Sequence, residues 1–432
     1  MIAGFVQWML LLSVVTELAA YLPIPIEIPF VPVSLIVGAN PPKPATNGPT
    51  SSMSVPQIVR HWGYRLEEHR VVTCDGYVLT LHRIPHGRAH NRNPPANRPV
   101  VFLQHGLLCS SSVWLLNAPD QSAGFLFAEQ GYDVWLGNMR GNVYSKEHRT
   151  LNSDSAEFWR FSWEEMAKYD LPAMINYVLN RTAQRSLYYV GHSQGTLTML
   201  AKLSKDRVFA QKIRKFFLLA PVYRMSHVKG FFHNFGQNYE RLKEVYRYFG
   251  DNEFFSANIF SRFVTENLCE NPLSSAFCEE FVYLVAGPDS NQMTKSKLGV
   301  YVANMLAGTS TRNMMHYSQM VHDKRMASFD MGIGENLRVY GQSSPPEYNI
   351  SNVHNDIYLF YSDYDWTATA DDVKQYLMPT LPRNSVKYAK ELREFNHMDF
   401  LWGTRARAEI YDPIIEIIKA DSHAFSGPVH VQ

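Results

Sequence analysis

Gly191-His192-Ser193-Gln194-Gly195 is the stretch whose residue types and spacing point most directly to chemistry. A serine with glycine two positions before and two after suits a turn too tight for bulky flanking side chains. Leu187-Tyr188-Tyr189-Val190 before it reads as a short buried strand, and Thr196 to Ala201 after it as the first turns of a helix. A Gly-x-Ser-x-Gly between strand and helix is a nucleophile elbow. It lifts the serine Oγ above the sheet edge and aims the next N–H at the same point. The chemistry would be attack of a hydroxyl on an acyl carbon. Serine is a poor nucleophile alone, so this needs a base to take its proton and a carboxylate to orient the base.

In elbow enzymes those partners follow in the order Ser, then Asp or Glu, then His, each after a strand. Ile357 to Tyr361 and Ser385 to Ala389 read as the last two strands. The first runs into Ser362-Asp363-Tyr364-Asp365-Trp366, the second toward Phe395-Asn396-His397. His397 is therefore the candidate base, while position leaves Asp363 and Asp365 equal as its partner. Two N–H donors must also meet the negative charge that develops on the substrate oxygen. Gln194 supplies one. The other is expected from Leu107, in the Gln104-His105-Gly106-Leu107-Leu108 turn after the strand Val100 to Leu103. His105 reads as a brace for that turn. No metal-ligand spacing and no phosphate loop stands out, so neither metal nor cofactor is expected.

The elements that must carry these residues alternate between strand-like and helical patterns, the mark of a mainly parallel sheet with crossover helices. Arg70 to Leu81 reads as a hairpin turning at Asp75-Gly76. Further strands are expected at Val100 to Leu103, Asp133 to Leu136, Leu187 to Val190 and Phe216 to Leu219, and helices over Ser162 to Leu179 and Thr196 to Ser204. Between about Arg224 and Tyr348 the alternation stops and Phe, Tyr, Met and Asn accumulate. That stretch reads as a helical insertion between two halves of one sheet, a lid over the site.

The 432 residues carry a net charge of +1 and no long run of one sign, which offers nothing to nucleic acid. Residues 1–20 read as a signal peptide, although no Lys or Arg precedes the apolar run. Glu17 ends that run at about 16 residues, short of the ~20 that span a bilayer, so no membrane span is expected in the mature chain. Residues 21–55 are proline-rich and read as a linker or pro-like arm. Of four cysteines, Cys269 and Cys278 close the shortest loop and are the expected disulfide, with Cys74 and Cys109 free. Asn180 and Asn349 open glycosylation sequons.

Together these segments resemble the acid lipase family, the gastric and lysosomal acid lipases and their insect relatives. The resemblance rests on His61-Trp62-Gly63-Tyr64, Thr73-Cys74-Asp75-Gly76-Tyr77, His105-Gly106-Leu107-Leu108, Gly137-Asn138-Met139-Arg140-Gly141-Asn142, Gly191 to Gly195, Ala307-Gly308-Thr309-Ser310 and Asn396-His397-Met398-Asp399-Phe400. It covers about residues 55 to 418. It implies an α/β-hydrolase fold, with the core in residues 56–223 and 350–420, a cap over 224–349 and a tail at 421–432. It implies Ser193 as nucleophile, His397 as base and Asp365 as its partner, because the family's Asp lies shortly before an Asp-Val at the start of the next helix, as Asp365 does before Asp372-Val373. Leu107 and Gln194 become oxyanion donors, and the family's cap disulfide matches Cys269–Cys278. The implied partner is a lipid ester at a lipid–water interface, in a secreted or lysosomal setting. Departures are Ser362-Asp363 where the family often has Gly-Gly, and Met139 for a common Ser. The competing readings are a carboxylesterase for smaller soluble esters and a non-catalytic binding protein on the same scaffold.

Overall fold

The computed structural model describes residues 48–90, 98–255 and 275–425. The expected signal peptide, most of the proline-rich arm and Cys269 lie outside them. Eleven strands follow in chain order: β1 (Glu67–Val72), β2 (Tyr77–Ile84), β3 (Val100–Gln104), β4 (Asp133–Gly137), β5 (Glu147–His148), β6 (Leu187–His192), β7 (Ile213–Leu219), β8 (Glu253–Phe254), β9 (Thr309–Ser310), β10 (Ile357–Ser362) and β11 (Val386–Leu392). Nine form one sheet in the order β1-β2-β4-β3-β6-β7-β10-β11, with β5 beside β2, while β8 and β9 pair apart from it. The β1–β2 hairpin joins the rest antiparallel, through β2 on β4. Along the sheet from β4 through β3, β6, β7 and β10 to β11 every pairing is parallel.

Helices cover both faces, as a parallel sheet requires. The central strands β3 and β6 are buried at every residue, which explains their unbroken apolar runs. The edge strand β11 instead faces water with Lys387 and Glu391, charges that discourage a further strand from pairing. The crossover into β6 ends in α1 (Leu171–Thr182), and that out of β6 begins in α2 (Gln194–Lys205). The helix expected over Ser162 to Leu179 is interrupted: Trp163–Glu165 is one short turn and Met166–Asp170 a π-turn. Pro172 lacks the N–H that would bond the Lys168 carbonyl, and its ring pushes that carbonyl away, so the chain widens there.

β7 pairs directly with β10, so the long chain between them leaves the sheet. Apart from the short β8–β9 pair its described part is mainly helical: α3 (Gly230–Gln237), α4 (Tyr239–Phe249), α5 (Ser275–Ala286), α6 (Leu298–Met305), α7 (Thr311–Asp323) and α8 (Ile333–Tyr340). Large buried side chains fasten this region to the core. Tyr301 of α6 stacks on Trp402 at 4.5 Å and donates its hydroxyl to Asn117 at 2.6 Å. His316 of α7 stacks on Trp163 at 4.4 Å. Such a buried ring pair adds about 1 kcal/mol beyond the area it removes from water. After β11, α9 (Asp412–Phe425) returns to the middle of the sheet, where Tyr188 of β6 donates its hydroxyl to Asp421 at 2.7 Å.

Candidate active site

The serine sits where β6 turns into α2. Ser193 has φ 54° and ψ −119°, a left-handed backbone that a non-glycine residue adopts only under constraint. The constraint is a set of hydrogen bonds. Ser193 N–H donates to Leu219 O at 3.0 Å, and Thr196 donates to Ser193 O through both N–H, at 2.8 Å, and hydroxyl, at 2.6 Å. The flanking glycines are required by contact: a Cβ on Gly195 would lie 2.5 Å from the Gln104 carbonyl oxygen, and one on Gly191 would lie 2.8 Å from the Gly195 carbonyl. The elbow thus packs backbone on backbone against the end of β3.

Asp365 and His397 reach the same point from β10 and β11. Asp365 Oδ1 accepts the N–H groups of Thr367 at 2.8 Å and Ala368 at 2.7 Å, which fix the carboxylate in place. His397 Nδ1 lies 2.8 Å from Asp365 Oδ2, and its Nε2 lies 2.8 Å from Ser193 Oγ. All three side chains are buried. With Nδ1–H donated to the carboxylate, Nε2 presents its lone pair to the hydroxyl and can take its proton. Asp363 stays outside. It is exposed, and its Oδ1 accepts Glu394 N–H at 3.1 Å. Its neighbour Ser362 is buried and accepts Phe395 N–H at 3.0 Å, so this pair stitches the end of β10 to the loop that carries His397. His192 adds a second stitch by donating Nε2–H to the His397 carbonyl at 2.9 Å. Burial holds the His192 imidazole well below the ordinary histidine range and therefore neutral.

The turn after β3 presses on the serine. A Cβ on Gly106 would come within 2.9 Å of Ser193 Cβ, so only glycine permits this approach. The next N–H, that of Leu107, and the N–H of Gln194 are taken up by no turn or side chain among the described residues. His105 braces the turn, donating Nδ1–H to Gly106 O at 2.8 Å while Nε2 accepts Met139 N–H at 3.1 Å and Asn142 Nδ2–H at 3.2 Å. Burial lowers His105 to about 4, which keeps that acceptor free of a proton. The bracing loop is pinned in turn by Arg140, itself buried. Its guanidinium donates to Asp170 at 2.8 Å and to both oxygens of Asp75 at 2.7 and 3.0 Å, and lies 3.9 Å from the Tyr77 ring centre. Sequence reasoning assigned Arg140, Asn142 and Asp170 no part in the site and gave Asp75 only a turn. The available signal was an arginine four residues after the apolar run Val134-Trp135-Leu136, close to a strand end, where a cation that becomes buried demands anions.

Residues 55–118 match the family model of the partial alpha/beta-hydrolase lipase region, and residues 99–404 match that of the alpha/beta hydrolase fold. Lipase lipl-1 of Caenorhabditis elegans is 45% identical over 86% of this chain and 93% of its own length. Gastric triacylglycerol lipase of Bos taurus is 40% identical, over 86% and 93%. Lysosomal acid lipase/cholesteryl ester hydrolase of Macaca fascicularis is 39% identical, over 86% and 92%. The chain belongs to the acid lipase family. A solved protein from Sulfolobus solfataricus shares the fold at TM-score 0.52 and 14% identity, over 80% of this chain and 90% of that one.

Within this acid lipase the substitution of Met139 leaves the brace intact, because the backbone N–H makes the contact. Cys278 is disulfide-bonded, and Cys74 and Cys109 are free thiols. Cys109 is buried beside the Gly106 turn, and burial pushes its thiol up to about 12, which suppresses the reactive thiolate. Asn180 on α1 and Asn349 are both exposed. Among the described residues no cluster of His, Cys, Asp and Glu could hold a metal ion, and no helix is long and apolar enough to cross a membrane.

Proposed function

We propose that this protein is a lipase that hydrolyses acyl esters of lipids, triacylglycerol or cholesteryl ester, through an acyl-enzyme on Ser193. The observation that carries the reading is the unbroken chain from Asp365 through His397 to Ser193, 2.8 Å at each link. Ser193 Oγ attacks the ester carbonyl carbon as His397 Nε2 takes its proton, and the N–H groups of Leu107 and Gln194 receive the oxyanion. The tetrahedral species collapses, the ester bond breaks, and His397 returns the proton to the departing alcohol. Water then attacks the acyl-enzyme, giving its proton to His397. The fatty acid leaves as that proton returns to Ser193 Oγ. Asp365 holds the histidine tautomer throughout.

Residues 224–349 act as the cap, and their Met and aromatic content suits flexible apolar substrate. Gastric and lysosomal names among the relatives support a lipid ester and a secreted or lysosomal setting. That setting gives a use to the signal peptide at 1–20, the Cys269–Cys278 pair and the sequons at Asn180 and Asn349.

Labelling with a fluorophosphonate probe tests the mechanism. The wild type takes the label and Ser193→Ala does not; an unlabelled wild type overturns the reading. Rates on emulsified long-chain triacylglycerol and cholesteryl ester are then compared with those on soluble short-chain esters. Faster turnover of the emulsions supports the lipase. Activity confined to soluble esters makes the protein a carboxylesterase.

A further inference from the structure

Gln194 enters the mechanism through its backbone, yet its side chain is buried and held at both ends. Nε2–H reaches Met166 Sδ at 3.4 Å, and Oε1 accepts Nδ2–H of Asn313 at 2.9 Å. Asn313 lies in the first turn of α7, inside the strand-poor insertion, and is fully buried. Its amide is committed on both sides. Oδ1 accepts Trp163 N–H at 2.8 Å, and Nδ2 also bonds Thr309 Oγ1 at 3.0 Å. Its backbone N–H donates to Ser310 Oγ at 2.9 Å, and the Ser310 hydroxyl donates to Phe161 O. The amide orientation is fixed by chemistry, since a flip would set its NH2 group against the Trp163 N–H, donor facing donor.

Three segments therefore meet on one side chain: the elbow, the turn at 161–163 and the start of α7. The meeting point matters because of Ser193's backbone. A residue at φ 54° relaxes if its neighbours let it, and the Ser193–Gln194 peptide that carries the oxyanion N–H would turn with it. An oxyanion donor works only when already aimed at the developing charge. We infer that Asn313 is a positioning residue that holds Gln194, and with it the oxyanion N–H, so that the insertion is coupled to the chemical step as well as covering the substrate. The inference rests on the oxyanion role proposed above for Gln194.

The test uses a soluble short-chain ester, so that lipid adsorption does not enter, with rates normalised to sites titrated by fluorophosphonate. Asn313→Ala and Gln194→Met each lower kcat by about tenfold or more and leave KM within about twofold. The double variant is no slower than the worse single, because both changes remove the same bond. Asn313→Asp recovers much of the rate, since a carboxylate still accepts Trp163 N–H and can accept Nε2–H from a rotated Gln194 amide. Multiplying effects in the double variant, or singles that lose only melting temperature and titratable sites while kcat per site holds, overturn the inference. If folding fails in Asn313→Ala, Gln194→Met breaks the same bond from the core side and the same criteria apply to it. A wild type that takes no label would instead remove the reading of the site on which the inference stands.

Discussion

The Asp365 carboxylate accepts two backbone N–H groups and the His397 ring, whereas Asp363, two residues earlier, is exposed and accepts Glu394 N–H. Asp363→Asn keeps an acceptor oxygen for that contact, so kcat stays within about threefold of wild type. Asp365→Asn replaces an obligate acceptor by a group that can also donate, which favours the wrong histidine tautomer and lowers kcat by about 10⁴-fold. Steady-state kinetics of both variants on a soluble ester decides between the two carboxylates, and loss of activity in Asp363→Asn alone reverses the assignment. The choice was not legible from residue position, because both aspartates follow β10 and chain order says nothing of where a side chain points. Ser193, His397 and the Gly106 turn were legible for the opposite reason. Ser193 and the Gly106 turn follow closely on β6 and β3, His397 is the histidine in the loop after the last strand, and glycine at 106, 191 and 195 marks places of close approach at the elbow.

At the scale of elements the elbow is a three-way junction of β3, β6 and α2, and Gly195 is its tightest contact. The atom that a Cβ would strike is a backbone oxygen of Gln104, and no side chain can move aside to make room. Gly195→Ala must push α2 away from β3, which separates Ser193 from the Gly106 turn. The expected result is a loss of most activity together with a melting temperature lower by several degrees, read by calorimetry and by probe labelling on the same sample. Retained labelling at wild-type rate would show that the junction opens without disturbing the serine. Strand order and the elbow were readable because apolar runs and turn residues are local signals. The braces through His105, Arg140 and Asn313 were not. They join segments 30 to 150 positions apart, and periodicity carries no information about such pairs. The 224–349 stretch showed itself by a loss of strands and an accumulation of Phe, Tyr, Met and Asn, while its anchors, Tyr301 on Trp402 and His316 on Trp163, appear once both halves of the sheet are assembled.

Across the whole molecule, buried titratable groups pull stability in opposite directions with pH. Burial lowers His82 and His105 to about 4 and holds His192 and His316 below the usual range. These stay neutral in the fold while the unfolded chain takes up protons below about 6.5, so each makes the fold less stable as the medium becomes acid. Asp399, two residues after His397, opposes them. It is buried, its Oδ1 has no hydrogen-bond partner among the described residues, and burial raises it from 3.8 to about 7; Ser290 and the Asn396 N–H pull the other way, and the charge of Asp289 adds a smaller upward push. Between those two values the folded state holds a proton that the unfolded chain has released. The stabilisation from Asp399 is therefore complete below about pH 4 and is lost as pH rises through 7, with a ceiling of roughly 4 kcal/mol. Asp399→Asn keeps the shape and removes the titration. Its melting temperature relative to wild type should therefore rise by a few degrees between pH 4.5 and 7.5, as the wild type alone begins to carry a buried charge. Melting curves for the two proteins across that interval measure the difference directly, and a constant offset at every pH would mean that Asp399 ionises as readily in the fold as in water. The expected slope means that this one carboxyl offsets, in mild acid, part of what the buried histidines cost there.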